Sequence, residues 1–325
     1  MQIAHTFLLL AVVIMLSLAG CTYRPNPNPP LPSLSYSNLT PTAFPVLDTI
    51  KGNFPNQIGI LEKNMPRAKS EGYFLPTSEE QADFAELVSA LNMGDLVHAA
   101  DLATRNAYTL NYYVDRGDNY AMSYLLREQK PIQKGWGLYA FRLASMSNII
   151  IEAPHPLYDK RTPTVALDLY RALDARALLI AGAQRNANRD KSADVAHAPE
   201  SIFQSVHLAL SDEIQTSSND VIILQIHGFH SSKHEGYPDV VFGLGENPLP
   251  QEVAIAQKIK DALSEHGISA GLCMGIGSEL EDLCAKTNVQ SAVTKEGAFI
   301  HIELDEKIRK NDDAFVNALV QVFGN

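Results

Sequence analysis

The sequence predicts an α/β protein in which a mostly parallel or mixed sheet is covered by helices on both faces. In the C-terminal two thirds of the chain, short apolar runs alternate with amphipathic segments of helical period. The apolar runs lack polar alternation, which is typical of strands buried on both faces. Polar side chains collect directly after these runs, at the edge where parallel strands bind ligands.

The composition agrees with a folded protein. Hydrophobic residues make up 46% of the 325 residues and charged residues 19%, which excludes a disordered chain. The formal net charge is -11. Phosphate contacts need clustered Lys and Arg, so we expect no nucleic-acid partner.

The first 20 residues predict a targeting segment. Residues 7–16 form an unbroken apolar run that is short for a membrane span and typical of a signal peptide. The Leu-Ala-Gly-Cys motif that ends at Cys21 resembles the lipobox of bacterial lipoproteins, in which the cysteine is acylated, as with palmitate. We therefore expect a lipid anchor at Cys21 that holds the protein at the membrane of the bacterial cell envelope. Thr22 is not acidic, which favours the outer membrane, facing the periplasm.

A proline-rich stretch follows the lipidated cysteine. Residues 22–47 contain seven Pro and one charged residue, Arg24, which predicts an extended tether over residues 21–50. We expect residues 51–107 to form a mainly helical segment packed on the core, and residues 108–325 to form the α/β catalytic domain. In an oxidising compartment Cys273 and Cys284 can form a disulfide, although two buried thiols also fit the sequence.

The helices and strands can be placed in order. Ser78 is the expected N-cap of an amphipathic helix, and a turn at residues 92–95 leads to a second short helix. Stretches rich in Tyr and Gly predict strands within residues 108–142. Beyond them we expect strands near residues 149–151, 177–181, 221–226, 268–274 and 299–304, with helices from Thr162 (as N-cap), over about 201–216 and 251–266, and at the C-terminal end.

Two imidazoles and a carboxylate follow the predicted strands. His155 and Asp159 come just after one strand, and His227 ends another. Such a set with an open fourth position forms a catalytic zinc site. We predict one Zn²⁺ per chain, bound by His155, Asp159 and His227.

Glu303 shares one face of the last predicted strand with Phe299 and His301. A carboxylate in apolar surroundings costs free energy unless it is paired or functional. As a general base, Glu303 would take a proton from the metal-bound water and deliver it to the leaving amine. The alternative is a structural ion pair with Arg309 or Arg185.

An arginine segment follows the strand at 177–181. The guanidinium of Arg185 can bind a substrate carboxylate or the oxyanion of the transition state, so Arg185 is predicted as both catalytic and substrate-binding. Asn188 and Arg189 are predicted to bind substrate as well, although Arg189 also fits a solvated loop.

This ordered set resembles the zinc carboxypeptidases of the carboxypeptidase A type, the N-formylglutamate amidohydrolases and the poly-γ-glutamate hydrolases. Residues 154–159 look like their first metal-binding element, 183–190 like the arginine segment, 225–228 like the strand of the third ligand, and 301–304 like the base strand, trailed by Arg309. The resemblance covers residues 145–310. It implies a carboxypeptidase-like fold, and it adds Arg309 to the substrate-binding set.

One departure from the family pattern leaves the ligand set open. Three residues separate His155 from Asp159, where the carboxypeptidases have two. Glu152 is therefore an alternate for Asp159, and His230 is an alternate or supplement for His227. The expected activity is hydrolysis of amide or peptide bonds in small peptides or N-acyl amino acids with a free carboxylate. Peptidoglycan peptides fit the expected location.

Two other functions remain possible from the sequence. His227-Gly228-Phe229 looks like the oxyanion strand of serine α/β-hydrolases, but no serine has Gly two residues before and two after it. The second is a lipid-anchored binding or scaffold protein that has kept the fold without the chemistry. Zinc stoichiometry separates such a scaffold from the enzyme.

Overall fold

The computed structural model describes residues 47–131, 134–143, 145–216, 220–275, 277–294 and 297–324. Cys21, the predicted signal peptide and most of the predicted tether lie outside the described residues. Within those ranges, every helix is too short or too polar to cross a membrane.

A ten-stranded sheet organises the described residues. In chain order the strands are β1 Thr49–Gly52, β2 Tyr108–Asp115, β3 Ala121–Glu128, β4 Leu138–Arg142, β5 Ile149–Ala153, β6 Ala177–Ile180, β7 Ile222–Phe229, β8 Val240–Gly243, β9 Ala270–Cys273 and β10 Ala298–Asp305. In space they follow the order β1-β2-β3-β4-β6-β5-β7-β10-β8-β9. The central strands β6, β5, β7 and β10 are parallel to one another, whereas β2, β3, β4 and β8 pair antiparallel with their neighbours toward the centre. The predicted mixed α/β sheet is confirmed.

Helices cover both faces of this sheet, as predicted. They are α1 Phe54–Asn64, α2 Ser78–Met93, α3 Leu96–Arg105, α4 Thr162–Ala172, α5 Ile202–Thr216, α6 Pro250–Glu265, α7 Val289–Val293, α8 Glu306–Lys310 and α9 Asp313–Phe323. We call the side packed against α1, α4, α6 and α9 the first face, and the side packed against α2, α3 and α5 the second face.

Two predicted helix starts are shifted by one residue. The N-cap of α2 is Thr77 rather than Ser78, because the Thr77 hydroxyl accepts a hydrogen bond from the Glu80 amide at 3.2 Å while the Glu80 carboxylate accepts one from the Thr77 amide at 2.8 Å. This reciprocal pair of hydrogen bonds is a capping box. Thr77 has a glutamate three residues later, as the motif requires, whereas Ser78 has no acidic residue at that spacing. The N-cap of α4 is Arg161, with φ of 73°, rather than Thr162.

Five elements have no counterpart among those predicted from the sequence: β1, α1, β8 and the five-residue helices α7 and α8. β1 begins at Thr49, just before the predicted end of the tether, and pairs in parallel with β2. α1 packs Phe54, Ile58 and Leu61 onto the first face. β8 has four residues and lies between β10 and β9. β1 contains the polar residues Thr49 and Lys51, and β8 has three apolar residues before Gly243, so neither forms a recognisable apolar run.

The second face changes character along the central strands, and this change positions the site. Near the amino ends of β5, β7 and β10, Ile150, Ile223 and Phe299 belong to an apolar core. Further along the same strands this face carries polar side chains, namely Glu152, Gln225, His227, His301 and Glu303. The first face remains apolar throughout. Polar groups therefore converge at the carboxyl ends of parallel strands, where open α/β sheets bind ligands.

Candidate active site

The structure brings the three sequence-predicted metal ligands together. One ligand atom from each of His155, Asp159 and His227 lies within 4.8 Å of the others. The Oδ2 atom of Asp159 lies 3.3 Å from Nδ1 of His155 and 3.4 Å from Nδ1 of His227. All three residues are buried. Because Asp159 comes from the turn that follows β5, the three-residue spacing still places it beside both imidazoles.

Nε2 of each of these two imidazoles contacts a residue other than Asp159. Nε2 of His155 lies 2.8 Å from Oδ1 of Asp194, and Nε2 of His227 lies 2.8 Å from Oε1 of Gln225. Both partners are hydrogen-bond acceptors, so each imidazole carries its proton on Nε2 when neutral. Nδ1 of both rings then faces Asp159, and metal-binding histidines are typically oriented in this way. Nδ1 of His155 also lies 3.3 Å from Nη1 of Arg185, a contact that a metal ion would replace.

A second group of potential ligands, His155, Asp194 and His197, also lies within 4.8 Å. Here the Asp194 carboxylate already accepts hydrogen bonds from Nε and Nη2 of Arg185, at 3.0 and 2.6 Å. The other oxygen of Asp194 contacts Nε2 of His155 at 2.8 Å and Nδ1 of His197 at 3.1 Å, so both oxygens already have partners. Asp194 therefore serves as a partner of His155 and Arg185 rather than as a ligand.

Glu303 and His301 complete the cluster from β10. Glu303 lies opposite His227 in the register of β7 and β10. The His301 ring stacks on that of His227 with centroids 4.2 Å apart, and its Nε2 lies 3.8 Å from Oε1 of Glu303. His301 Nδ1 and Glu303 Oε2 are buried without a hydrogen-bond partner among the described residues. Unpaired buried polar atoms are costly, so these two fit a site that takes up a ligand.

The ionisation of these groups follows from burial and from their neighbours. Burial lowers the pKa of His227 to about 4, so its imidazole is neutral at physiological pH. Burial, followed by the charges of His227 and His155, also depresses the pKa of His301. Burial and the nearby charge of Asp159 raise the pKa of Glu303 well above its ordinary value. A raised carboxyl pKa suits a general base that must also deliver a proton.

The carboxylates beside the histidines are ionised. Burial raises the pKa of Asp159, but the adjacent imidazoles of His155 and His227 outweigh it and hold the pKa below the ordinary range. The same balance, with hydrogen bonds from His155 and His197, lowers the pKa of Asp194. Burial lowers the pKa of His155, but its contacts with the Asp159 and Asp194 carboxylates outweigh this and raise it, so a metal ion at this imidazole competes with a proton. Imidazoles beside a carboxylate are the donor set of a zinc site.

Arg185 lies in the site, as predicted. Two of its nitrogens are held by Asp194, and its Nη1 lies 3.3 Å from Nδ1 of His155. Its guanidinium also packs over the Tyr158 ring at 5.3 Å. The predicted alternative, an ion pair of Arg185 or Arg309 with Glu303, does not occur among the described residues.

Arg309 has a different role from the one the family resemblance implied. Its guanidinium is buried and donates to the carbonyl oxygens of Leu304, Lys160 and Phe229. These carbonyls belong to the ends of β10 and β7 and to the loop after β5. Since its donors are taken up by main-chain oxygens, Arg309 holds three segments of the site together and is not placed to bind substrate.

Two other predicted substrate-binding residues lie outside the cluster. The Asn188 amide accepts from the Tyr73 amide at 3.2 Å and donates to the Tyr73 carbonyl at 2.8 Å. It therefore fixes the chain before α2. The Arg189 side chain is 85% exposed, and its Nε lies 3.5 Å from Glu71.

The two alternate ligands are also placed elsewhere. Glu152 is fully buried and bonded to His207 and Gln225, at 2.8 Å each. His230 is half exposed, and its Nδ1 lies 3.3 Å from Glu306. Neither residue belongs to a group of potential metal ligands among the described residues.

Two cavities meet at the site. One, of about 360 Å³, is lined by His155, His197, His227 and His301. The other, of about 390 Å³, is lined by Tyr158, Asp159 and residues 228–230. Arg185 and Glu303 line both. Residues 282 and 283 also line both cavities. They belong to residues 278–288, which we call the cover segment.

The cover segment is attached to the edge of the sheet. A disulfide joins Cys284 to Cys273 at the end of β9, with Cα atoms 5.1 Å apart, so the expected pair is formed. A Cβ at Gly243 would lie 2.4 Å from the Leu283 carbonyl oxygen and 2.9 Å from Nδ1 of His301. Glycine is required at this position because the cover segment and the imidazole both approach the backbone of β8.

Several residues that the structure brings to the site have no predicted role. Asp194 and His197 were visible only as charged neighbours of the arginine segment, and His301 only as a residue on the face of Glu303. Gln225 precedes His227 by two residues on the same strand face, which is the one signal that could have indicated it. Its role depends on the hydrogen bond to His227, which no sequence pattern reveals.

Comparisons with known proteins give similarity in fold only. No protein-family model matches the chain, and no curated protein matches it. A bacteriophage poly-gamma-glutamate hydrolase structure is 13% identical, with a TM-score of 0.38, over 57% of this chain and 86% of that one. N-formylglutamate amidohydrolase from Ralstonia eutropha JMP134 is 12% identical, with a TM-score of 0.36, over 57% and 93%.

A putative carboxypeptidase A from Shewanella denitrificans OS-217 is 15% identical, with a TM-score of 0.35, over 77% of this chain and 69% of that one. These structural neighbours are the kinds of protein that the sequence motifs resemble. At such low values the likeness carries no weight for the chemistry, which rests on this chain's own side chains.

Proposed function

We propose that the protein is a zinc-dependent hydrolase of amide bonds in small, carboxylate-bearing substrates. The observation that carries this proposal is the orientation of His155 and His227. Nε2 of each ring is bound to an acceptor, so Nδ1 of each ring faces the Asp159 carboxylate, where the three side chains can bind one metal ion. A bound zinc ion would lower the pKa of a water molecule and polarise the substrate carbonyl.

The residues around this centre have separate tasks. Glu303 is the general base: it accepts a proton from the attacking water and passes it to the leaving amine. Its raised pKa and its unpaired Oε2 support this assignment. Arg185 lines the same cavities, and its Nη1, which Asp194 does not hold, is the donor for the substrate carboxylate or the developing oxyanion.

The size and charge of the site support a small anionic substrate. The two cavities that meet at Glu303 measure about 360 and 390 Å³. The protein carries a net charge of -11, so a substrate carboxylate depends on local positive charge. Arg185 and the metal supply it. Small peptides and N-acyl amino acids fit these requirements, and peptidoglycan peptides would be the source in the cell envelope.

Zinc analysis of the purified protein tests the proposal. We expect one zinc ion per chain, and we expect tight binding to be lost in His155→Ala/His227→Ala. The matched control is His98→Ala/His266→Ala, which removes two imidazoles from the helical surface, away from the site. Full zinc retention in the site variant would refute the metal centre. An absence of zinc in the native protein would favour the scaffold alternative.

We further propose that a lipid on Cys21 holds the enzyme at the cell envelope, in the outer membrane and facing the periplasm. The Leu-Ala-Gly-Cys motif supports this location. Metabolic labelling with palmitate should mark the native protein but not Cys21→Ser, and membrane fractionation should move that variant to the soluble fraction. Labelling of both proteins alike would exclude Cys21 as the anchor.

A further inference from the structure

We infer that Gln225 is a positioning residue for the metal centre: it fixes which nitrogen of His227 faces Asp159. The inference rests on the proposed function, since it explains how one of the proposed ligands is prepared. Gln225 is fully buried on β7, two residues before His227 on the same strand face. Its Oε1 lies 2.8 Å from Nε2 of His227.

The amide of Gln225 can be oriented in only one way. Its Nε2 faces Oε2 of Glu152 at 2.8 Å, and a carboxylate can only accept a hydrogen bond. Glu152 is in turn bonded to Nδ1 of His207, also at 2.8 Å. Reversing the amide would place its oxygen against the carboxylate. The nitrogen of Gln225 therefore points to Glu152, and its oxygen points to His227.

The Ser291 amide and the Val195 carbonyl also fix the orientation of the Gln225 side chain, through Asn288 and Gln290. Asn288 accepts from the Ser291 amide at 3.0 Å, so its side-chain nitrogen must face Oε1 of Gln225. Gln290 donates to the Val195 carbonyl at 2.9 Å, and its oxygen lies 3.2 Å from Nε2 of Gln225. Main-chain donors and acceptors cannot exchange roles, so both neighbours are fixed.

The orientation of Gln225 affects the metal centre through its hydrogen bond with His227. The Gln225 oxygen can only accept, so His227 must donate from Nε2 and keep its lone pair on Nδ1. Nδ1 is the atom that lies 3.4 Å from the Asp159 carboxylate. The buried amide cluster thus selects the metal-binding tautomer of His227 before any metal arrives.

The experiment uses the full-length chain and two readouts. The first is the zinc dissociation constant, measured by chelator competition, and the second is the ¹⁵N spectrum of the His227 imidazole in the metal-free protein. In Gln225→Met we expect zinc binding to weaken about 10- to 100-fold and His227 to populate both tautomers. Gln204→Met is the matched control, because Gln204 accepts from Gln290 in the same cluster but does not contact His227.

A rescue variant keeps the test decisive if Gln225→Met folds poorly. Glu152→Gln/Gln225→Glu/Gln290→Met exchanges the carboxylate and the amide, retains an acceptor opposite His227, and removes the Gln290 oxygen that would otherwise face the new carboxylate. We expect this variant to show a single Nε2-protonated tautomer and to bind zinc within about threefold of the native protein. A single tautomer with native zinc affinity in Gln225→Met, or mixed tautomers in the rescue variant, would overturn the inference. A native protein that binds no zinc would overturn the proposed function instead, and the tautomer measurement would still decide the role of Gln225.

Discussion

Nε2 of His155 lies 2.8 Å from Oδ1 of Asp194, and the other oxygen of the same carboxylate lies 2.6 Å from Nη2 of Arg185. One buried carboxylate therefore orients a proposed metal ligand and a proposed substrate-binding cation at the same time. Asp194 lies 39 residues from His155 along the chain. The pairing arises because the loops after β5 and β6 leave neighbouring parallel strands at the same edge.

Asp194→Asn should weaken zinc binding by about 10- to 100-fold, the usual effect of losing a hydrogen-bonding partner of a metal ligand. It should also raise KM, because Arg185 loses the carboxylate that holds it. Chelator competition and steady-state kinetics measure the two effects. Asp190→Asn is the control, since Asp190 lies in the same loop and its side chain accepts hydrogen bonds from Ser192 instead of from the site. Equal zinc affinities in both variants would contradict this role of Asp194.

Glu303→Gln should bind zinc with little change while turnover collapses by at least about 100-fold, the usual contribution of a general base. Turnover of an N-acyl amino acid, measured at saturating zinc, checks this. The Arg189→Ala protein is a suitable control, because that side chain is exposed and outside the cluster. Turnover at the native level in Glu303→Gln would reject Glu303 as the base.

The raised pKa of Glu303 predicts that the stability of the metal-free protein depends on pH, and the same variant tests this. The pKa of Glu303 is raised on folding, so the unfolded chain releases this proton at lower pH than the native protein. The contribution of Glu303 to stability therefore falls as pH rises from about 4.3 toward the folded-state pKa. Glu303→Gln should be more stable than the native protein at pH 8, by about 1–3 kcal/mol, and nearly equal to it at pH 4. Urea unfolding with chelator at both pH values gives the two differences.

Gly228→Ala should destabilise the protein by about 1–3 kcal/mol, the usual cost of overpacking. A Cβ at this position would lie 2.5 Å from Nε of Arg309, which is itself held by three main-chain carbonyls and cannot move aside. Gly59→Ala is the matched control: apart from the backbone of its own helix and its chain neighbours, no atom of the described residues lies within 4 Å of the added Cβ, and alanine favours helix α1 by about 0.5–1 kcal/mol. Thermal unfolding should thus shift in opposite directions for the two variants.

Asn188→Ala and Arg189→Ala separate structural from substrate-binding roles in the arginine segment. Asn188→Ala leaves the buried amide and carbonyl of Tyr73 without partners, so we expect a loss of about 1–3 kcal/mol in unfolding free energy. Arg189→Ala should change stability by less than about 0.5 kcal/mol and leave KM unchanged. A large rise in KM for Arg189→Ala would restore the substrate-binding role predicted from the sequence.

Much of the fold could be predicted from local patterns. The apolar runs that became β5, β6, β7 and β10 and the amphipathic stretch of α2 each contain enough residues for their period to be recognised. β1 carries the polar residues Thr49 and Lys51, and the apolar run of β8 ends at Gly243, so neither forms a recognisable pattern. The caps of α2 and α4 were displaced by one residue because the choice between adjacent cap residues depends on hydrogen bonds formed only in the folded chain.

The sequence by itself determined which chemistry was available: imidazoles, carboxylates and arginines at the ends of apolar strands, where parallel strands must bring them to one edge. That reasoning needs only the chain order and the direction of the strands. Only the tertiary structure decided which of these groups face one another. Asp194 became the partner of His155, Gln225 the partner of His227, and Arg309 a bridge between carbonyls, because hydrogen bonds between residues far apart in sequence depend on strand order and register.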